Sequence, residues 1–346
     1  MDAKITKTRL ARMLSYDWMK IVGVAAAFIL VWVLIFTMTA TRITPAQQFT
    51  VFNYYANASL TDKFYTLYSN AFEKDVFSYE VIELNENDLT TSGEENAYTL
   101  MEARFATDEG DVMFVPNIGD EDYASKDDET GETVYEYTYA ESFFNRWFSY
   151  VYELYEVDET TGELVGGYFY DMERFLTEYF GESWETGELD KAKAEKDFRA
   201  RVKKNKDKRF KKEAEIAQGV QDEYARLEKY RAALNQFYEY LDAGVVSFTT
   251  LELYGEDDEV LRSGNYALNI CPDESGSGST LAEYVYYRTT VEVVDEDGET
   301  TTKNKNTAQD MQAMFLRMKG VEESFEYETL LFVNALVAAS LPQTAD

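Results

Sequence analysis

The residue types that could carry catalysis are few in this chain of 346 residues, which has no histidine and a single cysteine, Cys271. Without an imidazole there is no Ser-His-Asp or Cys-His nucleophile system, no histidine zinc ligand and no histidine proton switch. Catalysis would have to use carboxylates, lysine, tyrosine or a hard cation. Among 65 acidic residues a pair at a workable separation occurs by chance, so a glycosidase has no specific support and an enzyme is disfavoured.

Three acidic turns could bind calcium through clustered carboxylates. They lie at 127–133 (DDETGET), 158–164 (DETTGEL) and 295–301 (DEDGETT). None has the full ligand spacing of a calcium loop with a late bidentate glutamate. A glycine turn that joins two strands and carries a charged tip is favoured instead, so we predict no metal and no cofactor.

Two aromatic stretches could stack on a ligand. Residues 140–155 contain seven large aromatic side chains, and helical spacing predicts one shared face for four of them, Phe144, Phe148, Tyr152 and Tyr155. Residues 168–180 are similarly aromatic. An aromatic wall suits stacking on a sugar ring or a peptide. Core packing explains the same residues and is favoured.

A basic stretch, here called the basic arm (residues 189–212), contains 12 Lys or Arg and 4 Asp or Glu in a chain whose net charge is −32. One hypothesis is that it binds an anionic surface, either wall polymer or lipid headgroups. The favoured alternative is a solvent-exposed helix whose positive charge is balanced by the acidic remainder of the chain. From 217 the same helix is predicted to continue with an apolar seam, bent near Gly219.

The elements that must position these residues begin with an alternation of strands and helices. Strands are predicted at 49–56, 76–84 and 111–115. Ser59 is predicted to cap the first helix between them and Ser92 the second, because serine side chains accept from backbone N–H groups at helix starts. Apolar strands separated by helices predict a β-α-β-α-β unit over 49–117 with a parallel sheet.

The last third of the chain is predicted to return to strands and then to end in helices. The predicted strands are 245–254 and 265–271, with a hairpin over 283–303; the predicted helices are 308–319 and 325–341. The apolar run 329–341 is too short to span a bilayer and indicates a buried core helix.

One uncharged stretch, 21–41, is long enough to span a membrane as a helix, since about 20 residues cross a hydrocarbon core. The 20 residues before it carry five basic and two acidic side chains, whereas those after it carry 28 and 63. This asymmetry predicts a single-pass cell-membrane protein with a cytoplasmic N-terminus and an extracytoplasmic C-terminal part. A cleavable signal peptide is the alternative. The acidic charge disfavours nucleic acid as a partner.

A basic tail, a span and then two strand–helix units ending in 110–116 (GDVMFVP) resemble the first lobe of bacterial extracellular solute-binding proteins of the periplasmic-binding-protein type 2 class. The strand 266–270 (YALNI) resembles their return into that lobe. The chain departs from the pattern in its helical anchor, which stands in place of a lipidated cysteine, and in its short helical middle. It also resembles membrane-anchored relatives of that family in Gram-positive bacteria.

The resemblance implies an α/β fold with one N-terminal transmembrane helix and a two-lobed solute-binding-like domain. The implied parts are a cytoplasmic tail 1–20, a span 21–41, an α/β lobe from 44–118 and 244–341, and a mainly helical second lobe 119–243. It further implies a small solute, a sugar or a peptide, held between the lobes, and an ABC transporter or envelope protein as partner. The alternative is a cell-envelope interaction module that keeps the fold without a ligand.

Open α/β sheets bind ligands at the carboxyl ends of their strands. Together with the family's habit, this rule implies a ligand site at Tyr54, Tyr55, Asn57 and Ser59 after the first strand and at Asn117 after the third. The amides and the hydroxyl would donate or accept hydrogen bonds, and the tyrosines would stack. A plain helix cap for Ser59 and core packing for the tyrosines remain the alternatives.

Overall fold

The computed structural model describes residues 7–39, 48–53, 58–64, 76–77, 83–89, 94–107, 109–158, 160–207, 209–255, 257, 259–294, 300–317 and 327–342. Its contacts divide the chain into two compact units, Met1–Thr44 and Pro45–Asp346.

The first unit contains one helix, α1 (Lys7–Thr39). Its segment Trp18–Phe36 is 19 residues long with a mean hydropathy of 2.5, and none of it is buried by protein. The predicted apolar helix over 21–41 is therefore confirmed as far as Thr39. By length and composition it can cross a membrane, and a signal sequence near an N-terminus would have the same properties.

The second unit is built from strands and helices in alternation. The strands are β1 (Gln48–Asn53), β2 (Ser59–Leu60), β3 (Glu83–Asp88), β4 (Val112–Pro116), β5 (Ala124–Lys126), β6 (Thr133–Tyr135), β7 (Glu156–Val157), β8 (Leu164–Gly166), β9 (Ser247–Tyr254), β10 (Val260–Asn269), β11 (Val285–Val294), β12 (Thr300–Thr307) and β13 (Met311–Phe315). The helices are α2 (Glu94–Ala106), α3 (Tyr139–Trp147), α4 (Tyr168–Phe180), α5 (Lys191–Asn205), α6 (Glu213–Asp242) and α7 (Glu328–Ser340).

A six-stranded mixed sheet organises this unit, in the order β3-β1-β4-β13-β10-β9. β1 pairs in parallel with both β3 and β4. The parallel pairing predicted for the first half is therefore confirmed, although the second strand begins at Glu83 rather than at 76. β13 pairs antiparallel with β4 and with β10, which pairs antiparallel with β9.

Helices cover both faces of this sheet, which is why its central strands are apolar on both sides. One face packs against α4, α6 and α7 through a core that includes Phe114, Phe169, Phe237, Phe315 and Phe332. The other face packs against α2 and α3 through a core that includes Phe52, Met101, Met113, Phe143 and Met314. The helical middle of the chain and the sheet thus share cores, and a division into two lobes is not confirmed.

The helix predicted at 308–319 is wrong. The residues Met311–Phe315 form β13, a central strand paired on both sides, and all five are buried. A strand buried on both faces has no apolar–polar alternation, so its short apolar run has the same sequence pattern as a buried helix. Helix α7, predicted as a core helix, is confirmed and is buried along most of its length.

The predicted capping role of Ser59 is also wrong. Ser59 lies in β2, where it pairs with Tyr286 of β11. The cap is formed two residues later, since the hydroxyl of Thr61 accepts a hydrogen bond from the backbone N–H of Phe64 at 3.2 Å. The rest of this predicted helix, and the Ser92 cap, lie outside the described residues.

The aromatic helix predicted over 140–155 is shorter than expected. α3 ends at Trp147 and a 3-10 turn, Phe148–Tyr150, follows it. The predicted face fails because the turn leaves Phe148 45% exposed, whereas Phe143, Phe144 and Trp147 are buried. The favoured explanation of core packing is confirmed for these three side chains.

Two of the three acidic turns, at Asp127 and Asp158, form hairpin tips as predicted. The carboxylate of Asp127 accepts hydrogen bonds from the backbone N–H groups of Glu129 and Thr130 between β5 and β6. Asp158 does the same for Thr160 and Thr161 between β7 and β8. β11 and β12 form the third hairpin, whose tip at 295–299 lies outside the described residues.

The basic arm is not one continuous helix. α5 ends where Lys206 adopts a left-handed conformation with φ of 50°, and α6 begins at Glu213. The two helices pack against each other. Their contact buries Glu223 of α6, which pairs with Arg226 of the same helix and with Arg201 of α5, both at 2.7 Å.

Candidate functional site

The carboxyl ends of β1, β4 and β10 meet at one edge of the sheet, and β13 begins there because it runs in the opposite direction. Polar side chains line this edge, here called the carboxyl edge. They include Asn53, Asn117, Asn269, Asp310 and Gln312. Amide groups accept and donate hydrogen bonds, so their clustering at a strand end indicates hydrogen bonding rather than apolar contact.

Asn53 ends β1 and is fully buried. Its amide nitrogen donates a hydrogen bond to the carbonyl of Ala58 at 3.0 Å, which holds the chain that leaves the strand. Its amide oxygen has no hydrogen-bond partner within the described part of the chain. A buried acceptor without a partner costs free energy that a donor group on a ligand would restore.

Gln312 of β13 is the second fully buried amide. It lies opposite Val115 of β4 on one side and Asn269 of β10 on the other. Its nitrogen donates to the carbonyl of Asp310 at 2.9 Å, while its oxygen has no partner among the described residues. The amide oxygen of Gln312, in the central strand β13, is thus a buried acceptor without a partner in the described part of the chain.

Asp310 connects three strands at this edge. Its carbonyl also accepts a hydrogen bond from the backbone N–H of Asn117 at 2.9 Å, and its carboxylate accepts one from the amide of Asn269 at 2.8 Å. The residue is in the left-handed region with φ of 55°, a conformation that aspartate tolerates better than most side chains. The strand ends are therefore tied together by polar contacts.

The alternation of side chains places these groups on both faces of the sheet. Gln312 shares the face of Met314, which packs on α2 and α3, and Asn117 shares the face of Val115 on the same side. Asn53 shares the face of Val51, on the side of α4, α6 and α7. A ligand at this edge would reach acceptors of both faces only from beyond the strand ends.

Helix α3 begins beside the same edge. The carbonyl of Ile118 accepts from the backbone N–H of Tyr139, and Gly119 forms an isolated bridge with Thr138. Thr138 and Glu141 form a capping box at the start of α3. Nearby Asp120 is buried, and this burial raises the pKa of its carboxyl above the ordinary value.

The predicted site residues divide into three groups. Tyr54, Tyr55 and Asn57 lie outside the described residues. Ser59 is in β2 and pairs with β11, two residues before the helix cap at Thr61. Asn117 is at the carboxyl edge, where the rule of strand ends placed it.

Four residues of this edge were missed from sequence. Asn53 and Asn269 each end a strand, but the predicted strands continued to 56 and 271, so the rule of strand ends pointed past both residues. Gln312 and Asp310 were hidden because their strand was predicted as a helix. Gln312 is the polar residue that interrupts the apolar run 311–316, and this interruption was the signal that the sequence offered.

The arrangement supplies hydrogen bonds and no nucleophile. The thiol of Cys271 follows β10 and is buried, and this burial raises its pKa to about 11, so it is protonated near neutral pH. Within the described ranges, no group of three or more Asp, Glu or Cys side chains is placed to hold a metal ion. The chemistry that these amides and the carboxylate offer is the donation and acceptance of hydrogen bonds.

A second polar cluster, partly buried, lies at the opposite ends of the strands. Asp111 precedes β4, and its carboxylate accepts a hydrogen bond from the backbone N–H of Thr50 at 2.6 Å. Burial raises the pKa of Asp111 to about 7 despite that hydrogen bond, and the charge of Glu328 adds to the rise. Glu328 accepts a hydrogen bond from the hydroxyl of Tyr230 at 2.7 Å. This cluster joins β1, β4, α6 and α7.

No protein-family model, no curated protein and no solved structure matches this chain. The class is therefore defined by its own architecture. It is a mixed helix–sheet protein with helices on both faces of a six-stranded sheet and one apolar N-terminal helix.

Proposed function

We propose that the chain is a membrane-anchored extracytoplasmic binding protein that holds a small polar solute, a sugar or a peptide, at the carboxyl edge. The observation that carries the proposal is the pair of fully buried amide oxygens, on Asn53 and Gln312, that have no partner among the described residues. Sugars and peptides offer the hydroxyl and N–H donors that such oxygens accept.

The energetic argument concerns the difference between the empty and the occupied site. A buried acceptor without a partner costs about 1–3 kcal/mol. Folding tolerates this cost at two strands of one sheet, β1 and β13, which β4 separates, and a bound donor would remove it. Binding energy would then come from hydrogen bonds that the empty protein lacks.

The membrane part of the proposal rests on α1 and on its flanking charges. The residues before the apolar stretch are basic, and basic flanks stay in the cytoplasm. The unit Pro45–Asp346 would then lie outside the cell membrane, where an ABC transporter or another envelope protein could receive the solute. In the finer form of the proposal, residues 119–243 act as a second lobe over the carboxyl edge, beside which α3 begins.

A thermal-shift screen of the unit 45–346 tests the binding function. Its panel contains monosaccharides, disaccharides, amino acids and short peptides. A solute present at 100 times its Kd should stabilise the unit by about 2.7 kcal/mol through mass action. If no member of the panel raises Tm, a solute-binding role is excluded for these classes. Protease treatment of intact cells tests the topology, since an extracytoplasmic unit is cleaved.

The second candidate is an interaction module of the cell envelope that keeps the fold without a ligand. One observation favours it: the donor groups of Asn53, Asn269 and Gln312 all bind the chain's own backbone or carboxylate. In this alternative, the only role of these amides is to hold the ends of the strands together. A screen without any shift, together with specific crosslinked envelope proteins from cells, would support this module.

A further inference from the structure

The turn between α5 and α6 lines a cavity of about 500 Å³. Four cationic side chains line it: Arg199, Lys203, Lys206 and Lys211. Val202 and Ile216 add an apolar part to the wall. This cavity, here called the basic cavity, shares no residue with the carboxyl edge, so its role is independent of the proposed function.

The carboxylates near the basic cavity contact arginine side chains or backbone N–H groups. Asp207, the acidic residue of the lining, pairs with Arg209 at 2.7 Å. Glu213 pairs with Arg199 at 2.7 Å, and Arg199 also pairs with Glu195 at 2.8 Å. Glu215 accepts hydrogen bonds from the backbone N–H groups of Lys211 and Lys212, at 2.9 and 2.8 Å.

Lys203, Lys206 and Lys211 are exposed, and none of them forms an ion pair with the described residues. The carbonyl end of a helix attracts cations, which accounts for Lys203 in the last turn of α5. It does not account for Lys206 and Lys211, which lie beyond the helix. The backbone of Lys206 is held as the C-cap, with its N–H donating to Val202.

The charge of this cavity is opposite to that of the chain as a whole, which is −32. An acidic protein repels anions over most of its surface, so a concave cationic site would concentrate them locally. We propose that the basic cavity binds a phosphate-bearing anion, whose charge contacts Lys203, Lys206 and Lys211 while any apolar portion lies against Val202 and Ile216.

Calorimetry with inorganic diphosphate tests the proposal on the full chain in a nonionic detergent. The test variant is Lys203→Gln/Lys206→Asn/Lys211→Gln, in which asparagine keeps the left-handed cap tolerable. The matched control is Lys191→Gln/Lys196→Gln/Lys204→Gln, which removes the same charge from α5 outside the cavity lining. Thermal melting verifies that both variants are folded.

The proposal expects the test variant to lose about tenfold or more in affinity and the control to lose about twofold or less, because screening weakens the more distant charges. Equal losses in the two variants would show a diffuse charge effect and overturn the site.

A second experiment identifies the source of the phosphate. Hydrogen exchange over 199–216 is compared in micelles containing phosphatidylglycerol and in micelles containing phosphatidylcholine. Protection by phosphatidylglycerol alone, lost in the test variant, assigns a lipid headgroup. Diphosphate binding without such protection assigns a soluble phosphate. Absence of both diphosphate binding and protection overturns the proposal.

Discussion

Gly219 of α6 lies directly against the ring of Phe198 of α5, and a Cβ added to this glycine would stand 2.5 Å from Phe198 Cζ. It would stand 2.6 Å from Cε1 of Phe210 as well. The two rings contact each other edge to face, with centroids 5.1 Å apart. The glycine therefore permits the close approach of the two helices, and α6 is continuous through it.

The substitution Gly219→Ala tests the close contact between α5 and α6. It has two effects of opposite sign on stability. Alanine improves helix propensity by about 1 kcal/mol, whereas a methyl group forced into a packed contact costs about 1–3 kcal/mol. We expect net destabilisation in chemical unfolding. Ala232→Gly on the exposed side of α6 calibrates the propensity term and should cost about 1 kcal/mol.

Adding Phe198→Leu to Gly219→Ala should recover part of that loss, because the smaller side chain makes room for the methyl group. Contacting residues commonly show coupling of about 0.5–3 kcal/mol. Strict additivity of the two substitutions, or stabilisation by Gly219→Ala alone, would contradict the contact.

The buried ion pairs of Glu223 yield a second prediction. Burial alone would raise the pKa of Glu223, but the charges and hydrogen bonds of Arg226 and Arg201 lower it to about 2. Glu223→Gln would leave Arg226, whose side chain is 2% exposed, without its carboxylate. We expect a loss of about 3–5 kcal/mol in urea unfolding, as for other broken buried pairs.

The control for this variant is Glu213→Gln, which removes an exposed partner of Arg199 and should change stability little. The pH dependence gives a further check. A lowered pKa means that the pair stabilises the fold above the unfolded pKa and that this contribution is lost only as pH falls toward 2. A loss of the contribution near pH 5 would be inconsistent with the pairing.

For Asp111 we expect the opposite pH dependence of the unfolding free energy. Its pKa is raised to about 7, so the protonated form is favoured in the folded state. Its contribution is present below the unfolded pKa and is lost as pH rises from about 4 to above 7, and a shift of this size corresponds to a few kcal/mol. Asp111→Asn, which cannot ionise, should flatten the stability profile between pH 5 and 8.

The matched control for Asp111 is Asp128→Asn at the exposed tip of the β5–β6 hairpin. It should leave the pH dependence of unfolding unchanged. If Asp111→Asn and the control have parallel profiles, the buried carboxylate is ionised in the folded protein and the interpretation fails.

Much of the fold could be predicted from sequence where local chemistry determines the conformation. The aspartate turns at Asp127 and Asp158 formed as expected because a carboxylate that accepts from the next backbone N–H groups is a local contact. β4 was found because its apolar run is short, as in a buried strand, and α7 because its apolar run is long enough for a helix. No neighbour in space was needed for these assignments.

Other parts depend on neighbours that are distant in sequence. The five residues of β13 became a strand because β4 and β10 offer hydrogen bonds on both sides. The break between α5 and α6 contains neither proline nor glycine, and Lys206 supplies the left-handed turn instead. Neither feature has a distinct local pattern.

The candidate site divides in the same way. Asn117 was found because β4 was placed correctly. The end of β1 was placed at 56, whereas the strand ends at Asn53, so the prediction named the residues that follow the buried amide. Gln312 could not be found before its strand was known.

The last prediction separates binding from stability at Gln312. Replacement by methionine keeps the length of the side chain and removes an amide oxygen that has no partner among the described residues. It also removes the hydrogen bond from the amide nitrogen to Asp310, worth about 1 kcal/mol. Since burying the unpaired oxygen has a cost of similar size, Gln312→Met should change unfolding free energy by less than about 1 kcal/mol.

The same variant should abolish the thermal shift produced by a solute found in the screen. Asn269→Leu is the contrasting variant, because both ends of the Asn269 amide are used, by Asp310 and by the N–H of Cys271. It should therefore destabilise the empty protein by more than Gln312→Met. If Gln312→Met instead keeps the full solute response, the buried oxygen does not contact the solute. The amides at this edge would then serve only to hold the ends of the strands together.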